Sequence, residues 1–116
     1  MVLSQKQVPI YGKSEIWQVL VEYEPTGKSP ALLTGYRIEW QAGLQAERLV
    51  GQSIQLELIL LSGDQRKKLD QAKETVARRC RVERLLKTGA PVQHGEVVQV
   101  RAKFPAPLQQ AQVVLF

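Results

Sequence analysis

The chain has no asparagine, and among its 116 residues only one cysteine, one methionine and one histidine. A single thiol excludes an internal disulfide framework and any cysteine-rich zinc site, and Cys80 suits a reducing compartment. Metal sites want clustered Cys, His, Asp or Glu. Here the only aspartates are Asp64 and Asp70, and the only carboxylate cluster is Glu22 with Glu24. No metal and no cofactor is therefore expected. Long apolar runs are missing too. A run as long as any, Leu58 to Leu61, is far short of the roughly 20 residues that cross a bilayer as a helix. Met1 to Ile10 carries one lysine and no apolar core, so no secretory signal is read there. A soluble, cytoplasmic protein is the expectation.

Two phosphate-loop fragments lack what would make them work. Gly-Lys-Ser occurs at Gly12-Lys13-Ser14 and Gly27-Lys28-Ser29. The loop needs a glycine five positions earlier, to turn backbone amides toward phosphate, and a helix afterwards. Those earlier positions hold Gln7 and Glu22, and Pro30 follows the second fragment. Both are read as ordinary turns. The lone His94 stands in Gln93-His94-Gly95, a turn where a solvated imidazole is expected, and nothing in the sequence sets a nucleophile beside it. No enzyme is read from these residues.

What is present is the composition of one globular domain, 44% hydrophobic and 23% charged. The net charge of +5 is localised. From Ser62 to Lys87 there are nine bases against four acids, whereas the remaining chain holds seven of each. Such a positive segment attracts nucleic acid, acidic protein faces or anionic lipid. A solvated helix face with internal pairs such as Glu74 with Arg78 is the plainer reading.

Period-two alternation predicts strands at Ile16–Tyr23, Leu33–Gln41, Ser53–Leu61 and Glu96–Phe104. The inward sets are Trp17, Val19, Val21 and Tyr23; Tyr36, Ile38 and Trp40; Ile54, Leu56, Leu58 and Leu60; and Val98, Val100, Ala102 and Phe104. Gln99, Arg101 and Lys103 face out. Ala42 to Val50 holds a short helical turn. Ser62 with Gln65 has capping-box spacing, and Leu69, Ala72, Val76 and Cys80 share a helical stripe. These predict one principal helix ending near Cys80, with Cys80 a small buried hydrophobe. Arg81 to Lys87 leans toward strand, and Thr88-Gly89-Ala90-Pro91 and His94-Gly95 toward turns. Ala111 to Phe116 is a last strand whose apolar end must meet the core or a partner.

Residues 1–13 are read as a loose leader and 14–116 as a single α+β domain. Its order is βββαβββ: a small antiparallel sheet or partly open barrel with one principal helix, which is also the order of the OB barrel. Tyr36 and Trp40 are read as core rather than as a base-stacking platform. The expected function is a non-enzymatic binding module. Its candidate contacts are Arg66, Lys67, Lys68, Lys73, Arg78, Arg79, Arg81 and Arg84 in the basic segment, with outward Arg101 and Lys103. Nucleic acid, held by its phosphate backbone, is the favoured partner. The alternative is a complex subunit, homo-oligomer or assembly factor docking on an acidic protein surface.

Overall fold

Alternation of branched apolar residues with polar ones dominates the chain, and strands dominate the fold. A computed structural model describes residues 2–7, 11–13, 16–77, 80–106 and 110–116. Among them run β1 (Ser4–Gln7), β2 (Tyr11–Lys13), β3 (Ile16–Tyr23), β4 (Ala31–Glu39), α1 (Leu44–Leu49), β5 (Ser53–Ser62), β6 (Gln65–Thr75), β7 (Arg81–Val92), β8 (Val97–Phe104) and β9 (Gln112–Leu115). All paired strands are antiparallel, in a four-stranded sheet of order β1-β9-β4-β7 and a five-stranded sheet of order β2-β3-β8-β5-β6.

The two sheets bury their inner faces in one common core. Val19, Val21, Ile54, Leu56, Leu58, Val98, Val100, Ala102 and Phe104 come from one sheet, and Leu33, Tyr36, Ile38, Val82, Val92, Val113 and Leu115 from the other. The inward sets of β3, β5 and β8 follow the period of two, as a half-buried antiparallel strand requires, and in β4 the irregularity between Leu33 and Gly35 shifts the parity between Leu33 and Tyr36. Trp40 packs edge-on against Phe104 with ring centroids 5.9 Å apart. The apolar end of the chain is core: Val113 and Leu115 face inward, and β9 is clasped between β1 and β4.

This all-β sandwich corrects the α+β expectation and, with it, the OB-like βββαβββ order. The segment read as the principal helix is β6, hairpinned to β5. Ser62 pairs with Gln65, so only Gly63 and Asp64 form the turn, and Gly63 adopts φ +58. A two-residue hairpin with glycine at its first central position needs that positive φ. What resembled a capping box was therefore a hairpin signal. The only described helix is α1, inside the Ala42–Val50 connection. Thr88-Gly89-Ala90-Pro91 is not a turn but part of β7. Residues 4–7 and 11–13, expected to be loose, pair with β9 and β3 as edge strands. Cys80 is not helical either: it precedes β7 at φ +66, packs beside the core, and its carbonyl accepts from the Trp40 amide at 3.1 Å.

Candidate functional site

In a strand the residues that do not face the core must face out, and the register decides which strands share that outer surface. On the five-stranded sheet, Lys103 lies between Gln18 and Gln55, and Lys73 lies across from Gln55 on its other side. The next row reads Leu20, Arg101, Glu57, Gln71, and the one after it Glu22, Gln99, Ile59, Lys68. Arg66 follows, opposite Leu61. Lys73, Arg101 and Lys103 border a shallow depression of about 430 Å³ floored by β5, with Gln55, Glu57 and Gln71 around it.

The charge balance on this surface is uneven. Glu57 faces Arg66 at 3.6 Å and Lys68 at 3.7 Å, so those two cations are partly neutralised. Glu22 accepts from the Gln99 amide at 2.9 Å. Lys73, Arg101 and Lys103 are exposed and have no ion-pair partner among the described residues. They form an uncompensated cationic group on two strands that flank β5.

The outer face of the other sheet is balanced. Arg37 is paired to Glu39, Arg81 meets Glu83 at 2.9 Å, and Gln112 donates to Glu39 at 3.1 Å. The Arg37 hydrogen bond, working against a smaller burial effect, holds the Glu39 carboxyl below its ordinary range. Arg37 also lies 5.7 Å from the centre of the Phe116 ring, a cation–π distance.

A third arrangement closes one side of the sandwich, where the edge strands β6 and β7 face each other without pairing. Arg84 of β7 donates from Nε and Nη2 to the two oxygens of Asp70, both at 3.0 Å, and from Nη1 to Glu74. The buried Tyr36 hydroxyl donates to Asp70 at 2.9 Å. Burial alone would raise the Asp70 carboxyl, but the Arg84 and Tyr36 hydrogen bonds outweigh it and hold it below the usual carboxylate range. The bond to Asp70 drives Arg84 further up, and burial, followed by the Asp70 bond, raises the Tyr36 phenol. Inward charges of this kind protect a free strand edge.

The ten expected contacts are thus dispersed. Lys73, Arg101 and Lys103 come together, and Arg66 and Lys68 continue the same face. Lys67 turns to the other side of β6, opposite Leu60. Arg81 is on the other sheet, paired to Glu83, and Arg84 is spent in the inter-sheet latch. Those two are not free for phosphate. Arg78 and Arg79 lie outside the described residues. A helix would have presented these bases together; the strand splits them by parity. Tyr36 and Trp40 are buried, so neither offers a stacking platform. His94 is exposed in its turn. Among the described residues no three His, Cys, Asp or Glu could hold a metal ion, and no helix is long and apolar enough to cross a membrane.

The latch was not anticipated, nor was the part Gln55, Glu57 and Gln71 play around the cations. The Gly63-Asp64 pair was the signal that could have exposed both, because a hairpin there fixes which β6 residues face out. No protein-family model matches the sequence, and no curated protein does. Among solved structures the chain is similar to murine APRIL over 94% of each chain, with 12% identity and a TM-score of 0.45. That level of likeness assigns neither family nor function.

Proposed function

We propose that this chain is a non-enzymatic binding module, a subunit or assembly factor, that docks the outer face of its five-stranded sheet onto an acidic protein surface. The observation that carries this is the group Lys73, Arg101 and Lys103, exposed and unneutralised on one face. Carboxylates on a partner would complete it, and charge complementarity of this sort sets encounter rate and register. The surroundings favour protein over nucleic acid. Gln18, Gln55, Gln71 and Gln99 offer amides that both donate and accept. Leu20 adds exposed apolar area, and Glu22 and Glu57 would repel a phosphate backbone.

The test compares the parent with the combined variant Lys73→Glu, Arg101→Glu, Lys103→Glu, all exposed positions. Each is cross-linked in extract of the native host, and each is titrated with labelled DNA and RNA at roughly 50 and 200 mM salt. A protein with an acidic surface, captured by the parent and lost by the variant, is the expected result. Capture that survives the triple reversal sinks the proposal. Salt-sensitive nucleic-acid binding that the reversal abolishes would replace it with phosphate recognition.

A further inference from the structure

Between the free edges of β6 and β7 the Arg84–Asp70–Glu74 latch divides the open side of the sandwich into two depressions. The smaller, about 290 Å³, is bordered by Glu74, Thr75, Arg81 and Glu83. The larger, about 720 Å³, lies on the other side of Arg84 and Asp70. Its walls mix apolar and cationic side chains. Leu60, Leu69, Leu86 and Ala90 pack against the core as its floor, and Leu85 is 67% exposed at the rim. Lys67, Lys68 and Lys87 also line it. Lys67 and Lys87 have no ion-pair partner among the described residues. The single acid of the groove among those residues, Asp70, is already satisfied by Arg84 and Tyr36.

The backbone here is irregular on both sides. β6 has a bulge at Leu69, because Leu58 faces Asp70 while Ile59 faces Lys68. In β7 the register with β4 passes from Ala90 to Leu85 while β4 advances only from Leu33 to Gly35, leaving 86–89 without Cα partners. Bulges re-aim side chains and interrupt pairing beside sites. Here they turn Lys67 into the groove and swell one wall of it. Both walls are edge strands whose outer backbone groups pair with no further strand among the described residues.

We propose that this groove is a second site, distinct from the basic sheet face, that captures an extended protein segment alternating acidic and apolar side chains. Strand addition suits it because a free edge supplies backbone hydrogen bonds while alternate side chains of the guest point to opposite sides. One side of the guest would reach the leucine floor, the other the lysines of the rim. Charge selects the sign: among the described residues the groove holds two unneutralised cations, Lys67 and Lys87, and no free anion.

The probe is a fluorescein-labelled eight-residue peptide of alternating Glu and Leu, titrated into the full chain at about 150 mM salt. A Lys-Leu peptide of the same length serves as control. Saturable binding of the Glu-Leu peptide is expected, at least tenfold tighter than the control. Lys67→Glu with Lys87→Glu should weaken it at least tenfold, as should Leu85→Asp. All three positions are exposed, and unchanged thermal melting confirms that the variants fold. Neutralising the sheet face with Lys73→Gln, Arg101→Gln and Lys103→Gln should change the affinity by less than about threefold, which separates this site from the other surface. Equal binding of both peptides overturns the proposal, as does loss of binding in the sheet-face variant instead of the groove variants. Displacement of the bound peptide by a duplex oligonucleotide at the same salt would show a phosphate site and overturn it as well.

Discussion

Arg84→Met removes every cationic group from the latch while keeping a flexible apolar stem. Asp70, its side chain 15% exposed, then keeps only the Tyr36 hydroxyl and local backbone, with Glu74 nearby and repulsive. Breaking a fully buried pair by removing one partner costs roughly 3–5 kcal/mol, and an exposed pair is worth about 0.2–1 kcal/mol. Arg84 at 28% and Asp70 at 15% exposure sit nearer the buried case, so a loss of about 2–3 kcal/mol at pH 7 is expected. At about 4 °C per kcal/mol for a chain of this size, the melting midpoint should fall by about 8–12 °C. The deficit should also depend on pH. With its compensation gone, burial raises Asp70 in the folded variant above its unfolded value, so the penalty is full at neutral pH and fades as protonation sets in. In the parent, Asp70 is held low, so its contribution is full above the ordinary carboxyl range of about 4 and is lost as pH falls below it. The two stability curves should therefore draw together as pH falls from 7 and meet only below the ordinary carboxyl range of about 4, in urea titrations. Replacing the set together, as Tyr36→Phe with Asp70→Leu and Arg84→Met, should recover stability to within about 1 kcal/mol of the parent, because the one charge that loses its partner, Glu74, has a side chain 35% exposed and can be solvated. A single-variant loss below about 1 kcal/mol at pH 7, or a deficit that does not change with pH, would refute the latch.

Gly35→Ala should destabilise by about 1–3 kcal/mol, since its Cβ would lie 2.6 Å from the Arg84 carbonyl oxygen and 2.9 Å from the Phe116 ring; Gly89→Ala meets only the exposed Leu32 side chain and should cost less, with chemical denaturation ranking the two. Leu58→Ala, in the fully buried centre of β5, should cost about 2–5 kcal/mol, whereas Leu85→Ala should stay within about 0.5 kcal/mol; equal losses in urea melts would contradict the assigned burial. Deleting Leu115 and Phe116 should abolish cooperative unfolding rather than merely weaken binding, because Leu115 is core and the Phe116 backbone is bonded to Thr34 and Gly35; a cooperative melt near the parent midpoint would place that end outside the core.

Much of the sandwich was written in local periodicity. β3, β4, β5 and β8 bury Val, Ile, Leu and aromatic residues on alternate positions, and a period of two depends only on neighbours in the chain. Their inward residues, and the outward placement of Arg101 and Lys103, came from that alone. β6 defeated the same reasoning because it is an edge strand. Its inward positions hold Ala72, Asp70 and Glu74, so no apolar alternation survives, and the bulge at Leu69 reverses the parity on its two sides. Its Lys, Arg, Glu, Gln and Ala residues are good helix formers, and the edge of a sheet tolerates them because one side of the strand is in water.

The net charge and most of the strand faces were set by the sequence alone, because composition and nearest-neighbour spacing need no partner strand. Which cations act together was decided only by tertiary structure. Lys73 is far from Arg101 in the chain, yet both border one depression because β5 pairs with β6 and β8 at once. Arg84 and Arg81, close to Lys73 in the chain, are withdrawn from that surface by Asp70 and Glu83. Register between strands is a long-range property: shifting it by one residue exchanges inner and outer faces, so the sum of the charges could be counted from the sequence while their arrangement waited on the fold.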